Sequence, residues 1–137
     1  MENILKTHQK KEIPVVAVIG GGSFATAIVK MLSENKVKIH WALRSNINHI
    51  KKYQNNPSYL SSVHIKLDKV SPTSSTREAV KGSDYVVIAV PSAFVPDALR
   101  ELTNEDFEGK KVVSAVKGLI SEQNETVTAY IARKYGV

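Results

Sequence analysis

Gly20, Gly22 and Ala25 stand at the spacing G-x-G-x-x-A directly after the apolar run Val15-Val16-Ala17-Val18-Ile19. That spacing suits contact between a backbone turn and a pyrophosphate. The first glycine permits a tight turn, the second has no Cβ to hold a phosphate away, and a small third residue lets a helix pack close to the strand. The helix that follows presents unpaired N–H groups and a positive dipole end to an anion. Gly21 is ambiguous, since added flexibility alone accounts for it. Phe24 packs either against a bound dinucleotide or into a helix interface. Arg44-Ser45 ends the second strand, where an NAD site usually has a carboxylate for the ribose hydroxyls. A guanidinium there can pair with a 2′-phosphate and Ser45 can add a hydroxyl bond; the plainer alternative is a solvated arginine. Lys117 follows the fifth strand, placed either to meet an anionic substrate or a carbonyl, or simply to be solvated. Ser92, after Val90-Pro91, either touches the cofactor or starts a helix, and Tyr59 is an aromatic in an otherwise polar loop. No Ser-His-Asp set and no carboxylate pair assembles from the sequence.

These positions need a scaffold that brings strand ends together. Val15–Ile19 and residues 85–90 are continuous apolar runs rich in β-branched residues, the pattern of strands covered on both faces. Phe24, Ala27, Ile28, Met31 and Leu32 recur at helical spacing between turn residues 20–22 and 33–36. Val37, Ile39, Trp41 and Leu43 alternate with Lys38, His40, Ala42 and Arg44, as in a strand nearer a sheet edge, with Trp41 and His40 serving packing and surface. Asn46 is expected to cap a short helix through Tyr53 with Ile47 and Ile50 inward, and residues 55–62 form a loop. Residues 70–73 read as a short strand, and Ser75-x-x-Glu78 starts a brief helix ending at Gly82. A helix begins near Pro96 and carries Ala98, Leu99 and Leu102; residues 111–116 form a fifth strand broken by Lys117-Gly118. The last helix spans residues 122–134 and buries Val127, Ile131 and Tyr135. Strands alternating with helices predict an α/β fold, a doubly wound, mostly parallel Rossmann-type sheet with helices on both faces. Strands 15–19 and 85–90 should be central neighbours. Ligands bind such sheets outside the carboxyl ends of the strands, which selects residues 20–24, Arg44-Ser45, the loop near Thr73, Pro91-Ser92 and Lys117-Gly118.

Composition narrows the classes. With 42% hydrophobic and 23% charged residues, the 137-residue chain reads as one globular domain, residues 14–137, behind a polar lead-in, residues 1–13. The net charge of +6 is scattered, densest at residues 6–11 and Lys110-Lys111, without the basic stripe and interleaved aromatics of a nucleic-acid surface. The absence of cysteine excludes thiol catalysis, and His8, His40, His49 and His64 lack metal-ligand spacing. No apolar run is long enough to span a bilayer, and the first residues lack a secretory signal, so the cytoplasm is expected.

Residues 18–27, Ala89-Val90-Pro91-Ser92 and Ser114-Ala115-Val116-Lys117-Gly118-Leu119 together resemble bacterial NAD(P)-dependent glycerol-3-phosphate dehydrogenase, and the loop 56–60 is also similar. The likeness runs along nearly all of residues 14–137. The sequence departs from it at Ala25, often a third glycine, at Phe24, often Trp or Tyr, and at Ser61-Ser62, often Pro-Gly. The resemblance implies hydride transfer between NAD(P)H and dihydroxyacetone phosphate, giving sn-glycerol 3-phosphate for phospholipid synthesis. It implies cofactor contacts at Ser23, Phe24 and Arg44, and places Lys117, with Gly118, beside cofactor and substrate. It also implies a helical substrate domain beyond this chain, carrying the proton donor, so that residues 14–137 are an incomplete cofactor domain, inactive alone. NADP is expected to be slightly preferred over NAD, the small-molecule substrate is the one expected partner, and neither nucleic acid nor membrane insertion is expected. Two other readings stay open: a stand-alone nucleotide-binding or redox-sensing module, and another dehydrogenase of the same architecture, ketopantoate-reductase-like or acting on sugar nucleotides.

Overall fold

Five strands, β1 (Val15–Ile19), β2 (Lys38–Ala42), β3 (Val70–Thr73), β4 (Tyr85–Ile88) and β5 (Lys111–Ser114), form one parallel sheet in the order β3-β2-β1-β4-β5. The computed structural model describes residues 13–116, 118–120 and 125–137. The polar lead-in expected at residues 1–13 therefore falls almost wholly outside the described residues. The connecting helices are α1 (Ser23–Ser33), α2 (Ile47–Tyr53), α3 (Thr76–Val80), α4 (Val95–Ala98) and α5 (Val127–Tyr135), with 3-10 turns at Ser92–Phe94 and Asn104–Phe107.

The expected central pair is present: β1 lies between β2 and β4, with Val16 opposite Tyr85 and Ile19 opposite Ile88. Its side chains alternate between two cores. Ala17 and Ile19 join Val86, Ile88, Val80 and Leu99 on one face. Val16 and Val18 join Ile39, Trp41, Val29 and Ile50 on the other. A strand feeding both cores must be apolar at every position, which explains its unbroken hydrophobic run. β3 is a sheet edge and tolerates Pro72, because Thr73 supplies the carbonyl that Leu43 N–H bonds (3.0 Å), so the ring nitrogen of Pro72 points to the open side.

Three local expectations shift. The buried stripe of α1 is Ala25, Ile28 and Val29, while Phe24 and Met31 are 57% and 61% exposed. The apolar residues of this helix wrap more than one stripe, and the side that meets the sheet is the one carrying the small Ala25. Asn46 precedes α2 with φ 69°, a left-handed conformation asparagine tolerates, and its side chain makes no cap. The segment around Pro96 is shorter than a regular helix, one 3-10 turn and one α turn, yet it still buries Val95 and Leu99. The expected start of the last helix, residues 122–124, lies outside the described residues; α5 is capped by the Thr126 hydroxyl, which accepts from Ala129 N–H at 3.1 Å. Ser75 caps α3 as expected, accepting from Glu78 N–H at 3.1 Å. At the base of the α5 core, Tyr135 stacks on Phe107 (centroids 4.8 Å apart) and donates to the Leu99 carbonyl (2.9 Å). Burial there pushes the phenol up to about 12.

Candidate functional site

The turn after β1 is built from three glycines with three different causes. Gly20 has φ 137°, and a Cβ on it would stand 2.2 Å from the Ala89 carbonyl oxygen. It is glycine so that the end of β1 can lie against the strand beside it. Gly21 is required too, since its Cβ would stand 2.8 Å from that of Leu43, so packing rather than added flexibility accounts for this residue. Gly22 differs. It is the N-cap of α1, with φ −82° and ψ −169°, values open to any residue, and a Cβ there would meet nothing within 4 Å.

Two residues that sequence reading assigned to packing and to a loop hold this turn. Trp41, fully buried, donates its indole N–H to the Gly20 carbonyl at 2.6 Å. Asn56, also fully buried, donates to the Gly21 carbonyl (3.1 Å) and to Thr26 Oγ1 (3.1 Å). Its oxygen accepts from Asn46 Nδ2 (3.2 Å) and Ser58 N–H (3.1 Å), so both donors and both lone pairs of the amide are used. Thr26 in turn donates its hydroxyl back to the Gly22 carbonyl at 2.7 Å. The loop carrying Tyr59 is thereby fastened to the turn. The only sequence signal for Asn56 was its place in the 56–60 segment of the family resemblance; for Trp41 it was the alternation of β2.

A cleft of about 340 Å³ opens above the carboxyl ends of β1, β2 and β4. Its walls are the Gly20–Gly22 turn, Leu43-Arg44-Ser45, Tyr59, Thr76 and the segment Val90 to Ala98. A second recess of about 530 Å³ continues from it past Arg44, Ser45 and Ser74 to Asn48, His49 and Lys51. Of the expected site residues, Gly20, Gly22, Arg44 and Tyr59 meet in the first cleft. Ser23 and Phe24 sit exposed on the first turn of α1, outside its wall, so Phe24 does not pack into a helix interface. Ser92 begins the 3-10 turn after Pro91 and stands beside Gly118, whose Cβ would lie 3.7 Å from the Ser92 hydroxyl. Gly118 is exposed. Lys117 lies outside the described residues. Arg44 is not free: its Nη2 donates to Asp97 Oδ2, while Oδ1 of the same carboxylate faces Arg100 Nη2 at 2.9 Å.

The residues present fit a dinucleotide phosphate. Helix α1 begins directly after the Gly20–Gly22 wall of the cleft, with no side-chain cap at its N-terminus and no acidic residue in its first turn, so its leading N–H groups and dipole are available to an anion. Gly22 keeps open a space that no side chain of the described residues fills. Among the described residues no group of three His, Asp or Glu could hold a metal ion, and no helix is long and apolar enough to cross a membrane.

Comparison with known proteins agrees with this geometry. The family described as the NAD-dependent glycerol-3-phosphate dehydrogenase N-terminus matches residues 15–137. Glycerol-3-phosphate dehydrogenase (NAD(P)+) of Ectopseudomonas mendocina is 33% identical over 110 residues, covering 79% of this chain and 32% of its own. The enzyme of the same name from Methanothermobacter thermautotrophicus is 32% identical over 124 residues, 89% of this chain and 38% of its own. The chain thus spans about a third of the length of these curated relatives. Among solved structures, the Dunaliella salina glycerol-3-phosphate dehydrogenase superposes with a TM-score of 0.81 at 21% identity, over 100% of this chain and 27% of its own. That of Coxiella burnetii gives 0.80 at 17% identity, over 91% and 38%. At such identities the structural likeness is one of fold.

Proposed function

The chain belongs to the family of NAD-dependent glycerol-3-phosphate dehydrogenase N-terminal regions, and from that premise we propose that its cleft binds NAD(P)H as the cofactor-binding part of an oxidoreductase. The reaction is hydride transfer between NAD(P)H and dihydroxyacetone phosphate, giving sn-glycerol 3-phosphate. The cofactor supplies the hydride; the residues of this chain supply its seat. The observation that carries the reading is Gly22, a glycine with no steric reason of its own at the uncapped start of α1. Backbone N–H groups there receive the pyrophosphate, Trp41 and Asn56 hold the turn that presents them, and Tyr59 closes one wall. Arg44 and Ser45 line both recesses at the end of β2, where a 2′-phosphate would be met by a guanidinium and a hydroxyl. On this reading NADPH binds at least as well as NADH. Ser23, Phe24 and Ser92 border the site, and by the family resemblance Lys117 and Gly118 are assigned to the substrate side.

A ketone gains negative charge on its oxygen as hydride arrives, and an ammonium nearby stabilises that charge more in the transition state than in the ground state. We assign this role to Lys117. In an enzyme carrying a substrate domain, Lys117→Ala should therefore lower kcat by a hundredfold or so, whereas a lysine that only anchored the substrate phosphate would chiefly raise KM. The 137-residue chain alone is expected to bind cofactor without appreciable turnover. Calorimetric titration of the chain with NADH and NADPH tests the reading, and no binding of either at millimolar concentration overturns it.

A further inference from the structure

Arg44 follows β2 and Asp97 lies in α4, after β4, 53 residues away in sequence. In the sheet, β1 runs between β2 and β4, and the glycine turn rises from the end of β1. A contact from Arg44 to Asp97 therefore joins segments that follow the strands on either side of β1, beside the cleft that both Arg44 and Ala98 line. The guanidinium meant for a phosphate already holds an anion of the chain's own, and Arg100 holds the other oxygen of the same carboxylate at 2.9 Å.

Resting on the dinucleotide reading of the cleft, we infer that Asp97 is a specificity-determining residue: its carboxylate stands in for the cofactor's 2′-phosphate on Arg44 and holds down selectivity for NADPH over NADH. For the 2′-phosphate to engage Arg44, the Asp97 contact must open. NADH has no group competing for that guanidinium and binds without displacing the carboxylate. The contact is solvent-exposed, with side-chain exposures of 71% for Arg44 and 41% for Asp97. An exposed pair of this kind shifts an equilibrium by a small factor, about two- to fivefold. The remaining negative charge of Asp97, a few ångströms from a phosphate dianion, adds a factor of roughly two to three in water.

The test is the ratio of NADH to NADPH dissociation constants, measured calorimetrically on the full chain at fixed ionic strength. Asp97→Asn should tighten NADPH about four- to fifteenfold and NADH by less, so that the ratio rises by about fourfold or more. Asp97→Glu, which keeps the carboxylate, should restore the ratio to near the wild-type value. In an Arg44→Ala background the same Asp97→Asn change should move the ratio by only about two- to threefold, the part owed to charge repulsion, because the competed group is gone. A ratio unchanged by Asp97→Asn, or NADPH weakened by it, overturns the inference; weakening would make Asp97 a support that orients Arg44. If NADH binds and only the ratio fails to respond, the cofactor reading stands and this inference alone falls. If neither dinucleotide binds the wild type or any variant, both fall together.

Discussion

Substituting Gly20 and Gly22 separately by alanine should divide folding from binding. At Gly20 a new Cβ would stand 2.2 Å from the Ala89 carbonyl oxygen and 3.2 Å from a Val90 methyl. The Ala89 carbonyl and Gly20 cannot move apart freely, because Ala89 N–H bonds the Ile19 carbonyl (2.8 Å) and Gly20 N–H bonds that of Ala42 (2.9 Å). Overpacking a fixed site costs about 1–3 kcal/mol, and the φ of 137° adds about 1 kcal/mol or more for a residue with a Cβ. The expected loss is about 3 kcal/mol, a large share of the roughly 5–15 kcal/mol that holds a domain together. At Gly22 the backbone is already in a region open to alanine and the space is empty. Lower entropy in the unfolded chain favours alanine by about 0.4–1 kcal/mol, while alanine is a poorer N-cap than glycine by a similar amount. Stability should therefore change by less than about 1 kcal/mol. Binding should not be spared: keeping the pyrophosphate off one N–H group loses a charge-assisted hydrogen bond, about 1.5–3 kcal/mol, or tenfold and more in Kd. The loss should be equal for NADH and NADPH, whose pyrophosphates are the same. Urea denaturation read by far-ultraviolet circular dichroism gives the first quantity and calorimetric titration the second. Equal destabilisation by the two substitutions, or unchanged cofactor affinity in Gly22→Ala, would refute the division.

Arg44→Ala should weaken NADPH by about 1.5–3 kcal/mol with a smaller change for NADH, measured in the same titrations; an equal effect on both would leave Arg44 outside the phosphate site. Asn56→Leu keeps the side-chain volume but strands the Gly21 carbonyl and takes a hydrogen-bond partner from Thr26, Asn46 and Ser58, and should lower stability by about 2–4 kcal/mol in urea denaturation. Tyr135 makes stability depend on alkaline pH. Its phenol is raised from 10.0 to about 12, so the neutral form is favoured in the folded state. That contribution is complete below pH 10 and disappears as pH rises to about 12, a loss of about 1–3 kcal/mol. Tyr135→Phe should be less stable at neutral pH, by about 1 kcal/mol for the bond to Leu99, but should lose less between pH 10 and 12 in thermal melts.

What was legible in the sequence is what depends on neighbours along the chain. β1 and β4 announced themselves because a strand buried on both faces has no polar position to spare, and the cap at Ser75 needed only the spacing to Glu78. The cleft's position followed from the alternation of strands and helices, which puts a crevice at the carboxyl ends of the strands, and a cleft does sit at the ends of β1, β2 and β4. What stayed hidden joins residues far apart. Trp41 and Asn56 reach the glycine turn across 21 and 35 residues, and Asp97 reaches Arg44 across 53. Nothing in the composition of Asn55-Asn56-Pro57 distinguishes a solvated turn from an amide whose four hydrogen-bonding positions are all taken. Gly21 and Gly22 look alike as letters and differ only in whether Leu43 stands behind them.

Trp41 is the single tryptophan among the 137 residues, and its indole ring rests under the turn that forms the floor of the cleft. The protein therefore carries one indole fluorophore, sited where occupancy matters most. Reduced nicotinamides absorb in the band where buried indoles emit, so a bound dinucleotide should quench Trp41 by energy transfer and brighten in return. The five tyrosines, Tyr59 of the cleft wall among them, excite at shorter wavelength, so excitation at the long-wavelength edge leaves a signal with one origin. Loosening of the turn alone, with nothing bound, would instead shift the emission to the red as water reaches the ring. Colour and intensity would then report separately on the state of the turn and on what sits above it.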